Sequence, residues 1–205
     1  MRLENSGNKL ETPANAENKT AELEKNITVE KPEAVEKQDA AKNFIHDLEN
    51  SEYYSSYEER LAQTPRDDAK GTWSGERGES TYTPNDANAK EAIEKCGKSG
   101  VDYKDAVPDF EPFSKETVEI EDMHANRSET FRKADNACAQ KWNDQHFENK
   151  TDWNGKDVSD WRHENGYTWH ECNDRQTCQL VPQEIHSQCG HLGGFAECKK
   201  KEAVL

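Results

Sequence analysis

The chain has 205 residues, 34% of them charged and 31% hydrophobic, with a formal net charge of -15 and a mean hydropathy of -1.24. That balance is too polar for a chain packed along its whole length, so one modest domain plus an unpacked tail is expected. No apolar run approaches the roughly 20 residues of a membrane-spanning helix, and the opening MRLENSGNKL lacks the apolar core of a secretory signal. No membrane partner is expected; the protein is expected to be cytoplasmic in its producer or to leave it without a signal peptide.

Residues 1–70 are rich in Glu, Lys, Ala, Asn and Pro, with almost no aromatic residue before Phe44. Such a segment cannot bury enough apolar area to offset an ordering cost of about 1–2 kcal/mol per residue. It reads as a disordered or partly helical linker. Ala40, Phe44 and Leu48 fall at helical spacing within Pro32–Glu49, and Tyr53, Tyr54, Tyr57 and Leu61 make a second amphipathic turn before Thr64-Pro65. The linker holds 10 basic and 16 acidic residues, a net -6, which leaves -9 of the chain's -15 for residues 71–205.

The folded domain is expected over 71–205. Trp73 and Tyr82 flank GERGES, a loop or hairpin; Arg77 within it either binds a phosphate or pairs with Glu76 or Glu79. A helix follows over Asp86–Lys98, then a packing loop at Pro108–Ser114 with Phe110 and Phe113, and a short strand at Thr117–Ile120. From Asn126 to Asn143, Phe131, Ala134, Cys138 and Trp142 recur at three- and four-residue steps, one buried stripe of a long helix. Val158 and Trp161 mark another helix over Lys156–Asn165, ended by Asn165-Gly166 in a left-handed cap.

The chemistry gathers in the next stretch, YTWHECNDRQTCQLVPQEIHSQCGHLGG at 167–194. Tyr167–Trp169 and Cys178–Val181 read as strands around the turn Asn173–Gln176, and Pro182 suits the first turn of a helix that carries His186. His191 lies just past that helix, where Gly190, Gly193 and Gly194 break it. His170, His186 and His191 can therefore converge on one divalent ion, because imidazole nitrogens suit zinc and related metals. Such an ion would polarise a phosphodiester, and an adjacent side chain would take the proton of the attacking water. His170 and Glu171 are the candidates for that proton. Neighbours on a strand point to opposite faces, so both serve only if the strand end bends or twists.

The words TWHE at 168–171, QLVP at 179–182, IH at 185–186 and H-x-GG at 191–194 resemble the HNH/endonuclease VII nuclease domains of the Trp-His-His type. The likeness extends upstream through GTWSGERGES at 71–80, PDFEPFS at 108–114 and TVEI at 117–120. Such domains are the DNA-cleaving C-terminal ends of bacterial polymorphic toxins, each neutralised by a dedicated immunity protein. The resemblance implies an α+β fold with a ββα-metal finger at about 166–194, supported by helices. It implies metal ligands at His170, His186 and His191, catalytic residues at His170 and Glu171, and action in the cytoplasm of a target cell. Glu171 stands where the family has a second histidine. Either Glu171 is the base with His170 on the metal, or His170 is the base with Glu171 assisting.

Charge and cysteines keep other readings in play. An acidic domain repels a polyanion unless its basic groups are gathered locally. Arg162 and Arg175 are the candidate substrate contacts, with His163 and Lys199-Lys200-Lys201 near them in sequence. Six cysteines, Cys96, Cys138, Cys172, Cys178, Cys189 and Cys198, suit free thiols, a structural metal site from the last four, or disulfides. Two functions follow: a nuclease acting on nucleic acid, DNA ahead of RNA, with one divalent ion (zinc, magnesium or nickel); or a non-catalytic, zinc-stabilised binding module.

Overall fold

The computed structural model describes residues 53–204; most of the expected linker, with its partial helix over Pro32–Glu49, lies outside them. The packed part reaches beyond the Gly71 boundary expected from sequence. Ser56 and Glu59 form a reciprocal capping box that starts helix α1, Tyr57–Gln63. Arg77 closes the other end, its guanidinium donating to the carbonyls of Leu61 (2.7 Å), Thr64 (2.7 Å) and Pro65 (2.9 Å). Arg77 thus has a structural role, but its partners are backbone carbonyls and the Thr64 hydroxyl, not the Glu76 or Glu79 expected from sequence. The segment before α1 is held by Glu197, a carboxylate buried on the far end of the chain that accepts the amides of Tyr54 (2.6 Å) and Ser55 (3.0 Å) and the Ser55 hydroxyl. Composition pointed to a linker here because those partners are 142–143 residues away in sequence.

Strands β1 (Gly71–Trp73) and β2 (Thr81–Pro84) form the hairpin around GERGES, and β3 (Val101–Lys104) and β4 (Val107–Pro108) extend it into an antiparallel sheet ordered β1-β2-β3-β4. Between β2 and β3 lies helix α2, Ala87–Lys95, started by the Asp86 side chain on the Ala89 amide. A single 3-10 turn at Glu111–Phe113 leads into β5, Glu116–Glu119.

The second sheet is ordered β5-β7-β6, where β6 is Tyr167–Glu171 and β7 is Thr177–Pro182. Helices α3 (Arg127–Gln145, capped by Asn126) and α4 (Gly155–Glu164, capped by Asn154) cover one face. The stripe read from sequence is buried there: Ala134, Cys138 and Trp142 pack with Val118, Trp169, Cys178 and Leu180. Gly166, at φ 71°, turns the chain from α4 into β6 as a left-handed cap must. Helix α5, Gln183–Gln188, lies on the other face, where Val181, Ile185 and Cys189 join Phe110, Phe113 and the aromatic residues Trp73, Tyr82 and Tyr103. Pro182 ends β7 and sits just before α5 instead of inside its first turn. Helix α6, Gly194–Val204, closes the chain.

The architecture is α+β, with a strand-strand-helix unit, β6-β7-α5, set on a two-helix platform. Among the described residues, no helix is long and apolar enough to cross a membrane.

Candidate metal centre

Side chains on a strand alternate between faces, and β6 uses both. Trp169 points to the α3–α4 platform, where its indole N–H donates to Asp135 (2.8 Å). His170 points the other way, toward α5. His186 on α5 and His191 in the following loop meet it, and the candidate ligand nitrogens of the three rings lie within 4.8 Å of one another. Phe110 touches all three, its ring centroid 4.8, 5.3 and 5.5 Å from those of His170, His186 and His191. The loop expected only to pack is thus the floor of the site.

Close approach of the backbone sets His191. A Cβ on Gly193 would stand 2.8 Å from the Glu171 carbonyl oxygen, and one on Gly194 would stand 2.4 Å from that of Cys172. The glycines let the loop lie against the end of β6, which brings His191 beside His170. Nδ1–H of His191 donates to the Cys189 carbonyl (2.6 Å), which fixes the tautomer and leaves Nε2 as the ligand atom.

Three nitrogens in a triangle no wider than 4.8 Å have a centre within about 2.8 Å of each, against a zinc–nitrogen bond of about 2.0–2.1 Å. Closing on an ion takes less than about 1 Å of movement per ring. Protonation suits it too. Burial depresses all three imidazoles: His170 well below the usual range, with the other two rings adding to it; His186 to about 3, with His191 and Arg127 adding; and His191 downward, despite its bond to Cys189, with Arg127 adding. The rings are neutral at pH 7, the form that binds metal.

That depression fixes the sign of a stability effect in metal-free protein. The unfolded chain binds protons on these histidines below about pH 6.5 while the folded chain does not, so stability is present above that pH and is lost as pH falls toward 3. His186 contributes up to about 1.4 kcal/mol per pH unit across that window, and His170 and His191 act in the same direction. Urea unfolding of chelated protein should give a midpoint that falls steadily from pH 7 to pH 4; an unchanged midpoint would refute the buried, neutral triad.

Glu171 leaves β6 on the face opposite His170, yet both border one cleft of about 540 Å³ that curls round the strand end. Burial raises its carboxyl pKa, with Arg127 at 3.3 Å pulling the other way. Oε1 is buried, and the Thr130 hydroxyl beside the carboxyl also lowers its pKa. Arg127 and Gln183 also line this cleft and were missed from sequence. Arg127 did leave a signal: a cation in the first turn of a helix faces the positive end of its dipole, so its place needs some other reason.

The two expected substrate arginines are not in the cleft. Arg162 is buried, its fork bound to Asp135 at 2.9 and 3.2 Å and its plane over Phe131; a guanidinium so held has no face left for a phosphate. Arg175 sits in the β6–β7 turn at φ 64°, stacked on Tyr54 and bordering an acidic groove. Of the tail lysines, Lys200 pairs with Glu59 at 2.6 Å, and Lys199 stands over Phe195 of the cleft wall. All six cysteines are free thiols, and burial pushes Cys172 and Cys189 up to about 12 and Cys198 to about 11. Among the described residues, the His170-His186-His191 triad is the one cluster placed to hold a metal; the cysteines form no such group.

Residues 100–193 match the family model described as the DNase/tRNase domain of colicin-like bacteriocin. The match supports a nuclease toxin domain of the bacteriocin kind. It runs from the start of β3 to Gly193 and contains the platform helices, the strand-strand-helix unit and all three histidines. No curated protein matches the chain.

Proposed function

We propose that this chain is a metal-dependent endonuclease of the HNH, Trp-His-His kind, which hydrolyses phosphodiester bonds of DNA with little sequence preference. Its setting is that of a bacterial toxin, restrained by a cognate immunity protein in its producer and active in the cytoplasm of a target cell. One observation carries the reading: three neutral imidazoles converge within 4.8 Å inside the segment that matches a nuclease toxin family. RNA is the second substrate to test.

His170, His186 and His191 would hold the divalent ion, and an all-nitrogen donor set favours zinc or nickel over magnesium. When bound, the ion supplies charge that polarises the phosphodiester and stabilises the departing oxyanion. The protein's own groups do the rest. With His170 among the ligands, Glu171 is the general base: burial raises its proton affinity, and its carboxylate borders the cleft with Arg127 on Oε2, the oxygen that would take the proton of a water once Arg127 moves away. Arg127, whose side chain is 60% exposed, is placed to move from Glu171 onto the incoming phosphate. That shift removes the neighbour that lowers the Glu171 pKa, so substrate binding itself makes the base stronger. The water oxygen bonds to phosphorus, its proton goes to Glu171, and the bond to the leaving oxygen breaks.

Glu171→Gln keeps the shape and removes the proton acceptor. Plasmid cleavage should fall by about 10²–10⁴-fold while zinc affinity and melting temperature hold. Undiminished cleavage would move the base role to His170. Plasmid left intact by wild-type protein with every divalent ion, together with unfolding on chelation, would favour the zinc-stabilised binding module instead.

A further inference from the structure

We infer that Tyr103, on a sheet that carries none of the three histidines, is a positioning residue for the metal centre: by gripping the residues just before His191 it sets the third imidazole. The inference rests on the metal reading of the triad. It gives a part in building the site to the first sheet, two of whose strands, β1 and β2, lie outside the family-matched residues.

His170 and His186 are placed by a strand and a helix, but His191 is on neither. It follows the end of α5 and lies between Gly190 and Gly193, the residue type with the widest backbone freedom. A ligand on such a segment is only as well placed as its neighbours hold it. On one side the loop leans on the end of β6 through Gly193. On the other, the Tyr103 hydroxyl donates to the Gly190 carbonyl at 3.2 Å and adjoins the Cys189 thiol. The Cys189 carbonyl in turn accepts Nδ1–H of His191. Tyr103 thus meets both residues whose backbone decides where the ring goes.

A second contact supports the first. A Cβ on Gly190 would stand 2.5 Å from the carbonyl oxygen of Gln63, so the end of α1 lies directly against the loop. The chain there is itself fixed, because the Trp73 indole N–H (3.0 Å) and Arg77 (2.9 Å) both donate to the Pro65 carbonyl. The rings of Trp73 and Tyr103 meet edge to face with centroids 4.8 Å apart, so both contacts on Gly190 belong to one packed unit. Tyr103 is buried, and burial holds its phenol well above the usual range, so the hydroxyl keeps its proton and remains a donor. A phenylalanine would fill the same space beside Trp73. What the tyrosine adds is a polar atom that needs a partner in the core, and it finds one in the loop of His191.

The test uses the full chain with Tyr103→Phe, which keeps the ring and removes the hydroxyl. Zinc affinity is read by competition with a chromophoric chelator on protein shown by circular dichroism to be folded, and the His191 Nδ1–H proton is followed by NMR in chelated protein. Tyr103→Phe should bind zinc about tenfold more weakly or worse. Its His191 Nδ1–H signal should broaden, because the ring then samples more than one placement. Val158→Ala, fully buried in the platform core, should lower the melting temperature at least as far while leaving that signal sharp and zinc affinity within about twofold of wild type. Zinc affinity within about twofold of wild type in Tyr103→Phe, or an equal loss in Val158→Ala, overturns the positioning role. Wild-type protein that binds zinc but leaves DNA intact overturns the nuclease reading alone, whereas wild-type protein that binds no zinc overturns both.

Discussion

Replacing His191 with alanine is expected to abolish plasmid cleavage, a fall of roughly a thousandfold or more, with a parallel collapse of zinc affinity. Its ring stands 4.8 and 5.1 Å, centroid to centroid, from those of His170 and His186, and its Nδ1–H is already engaged by the Cys189 carbonyl. A ligand pre-set in this way costs little to order when an ion arrives, and two imidazoles alone hold a divalent ion poorly. His186→Ala should do the same. Calorimetry with zinc, circular dichroism and plasmid nicking on one preparation separate loss of ion from loss of fold. Full activity in both variants would end the nuclease assignment.

The largest effect on stability is expected at Asp135. Its carboxylate, buried on α3, accepts the Arg162 fork and the Trp169 indole N–H, and so ties the platform to the strand that carries His170. Asp135→Ala leaves a buried guanidinium without its counter-ion and an indole without its acceptor, and should cost about 3–5 kcal/mol. Adding Arg162→Met should recover part of that loss, because the damage lies more in the stranded charge than in the missing bond. Urea unfolding of the single and double variants measures both numbers. A double variant no more stable than the single one would show that the bond itself carries the energy.

Local signals were legible where they depend on short-range physics. The stripe Ala134-Cys138-Trp142 and the Gly166 turn follow from helix period and backbone freedom, and α2, α3 and α4 formed within a few residues of the expected limits. The three histidines were legible because strand, turn, strand and helix follow one another closely enough to force them together. Arg162 misled for a complementary reason. Its place in the sequence says that it is near the site but not which way it faces, and its partner Asp135 lies 27 residues back.

The sequence by itself determined the α+β elements, the three imidazoles and the short connections that gather them, since each depends on neighbours a few residues apart. Only the tertiary structure decided that Phe110 floors the site, that Arg127 stands against Glu171, and that residues 53–70 belong to the packed domain through Glu197. Those contacts join positions 44 to 143 residues apart. No local period or cap encodes them, because they exist only once the hydrophobic faces of sheet and helices have closed on one another.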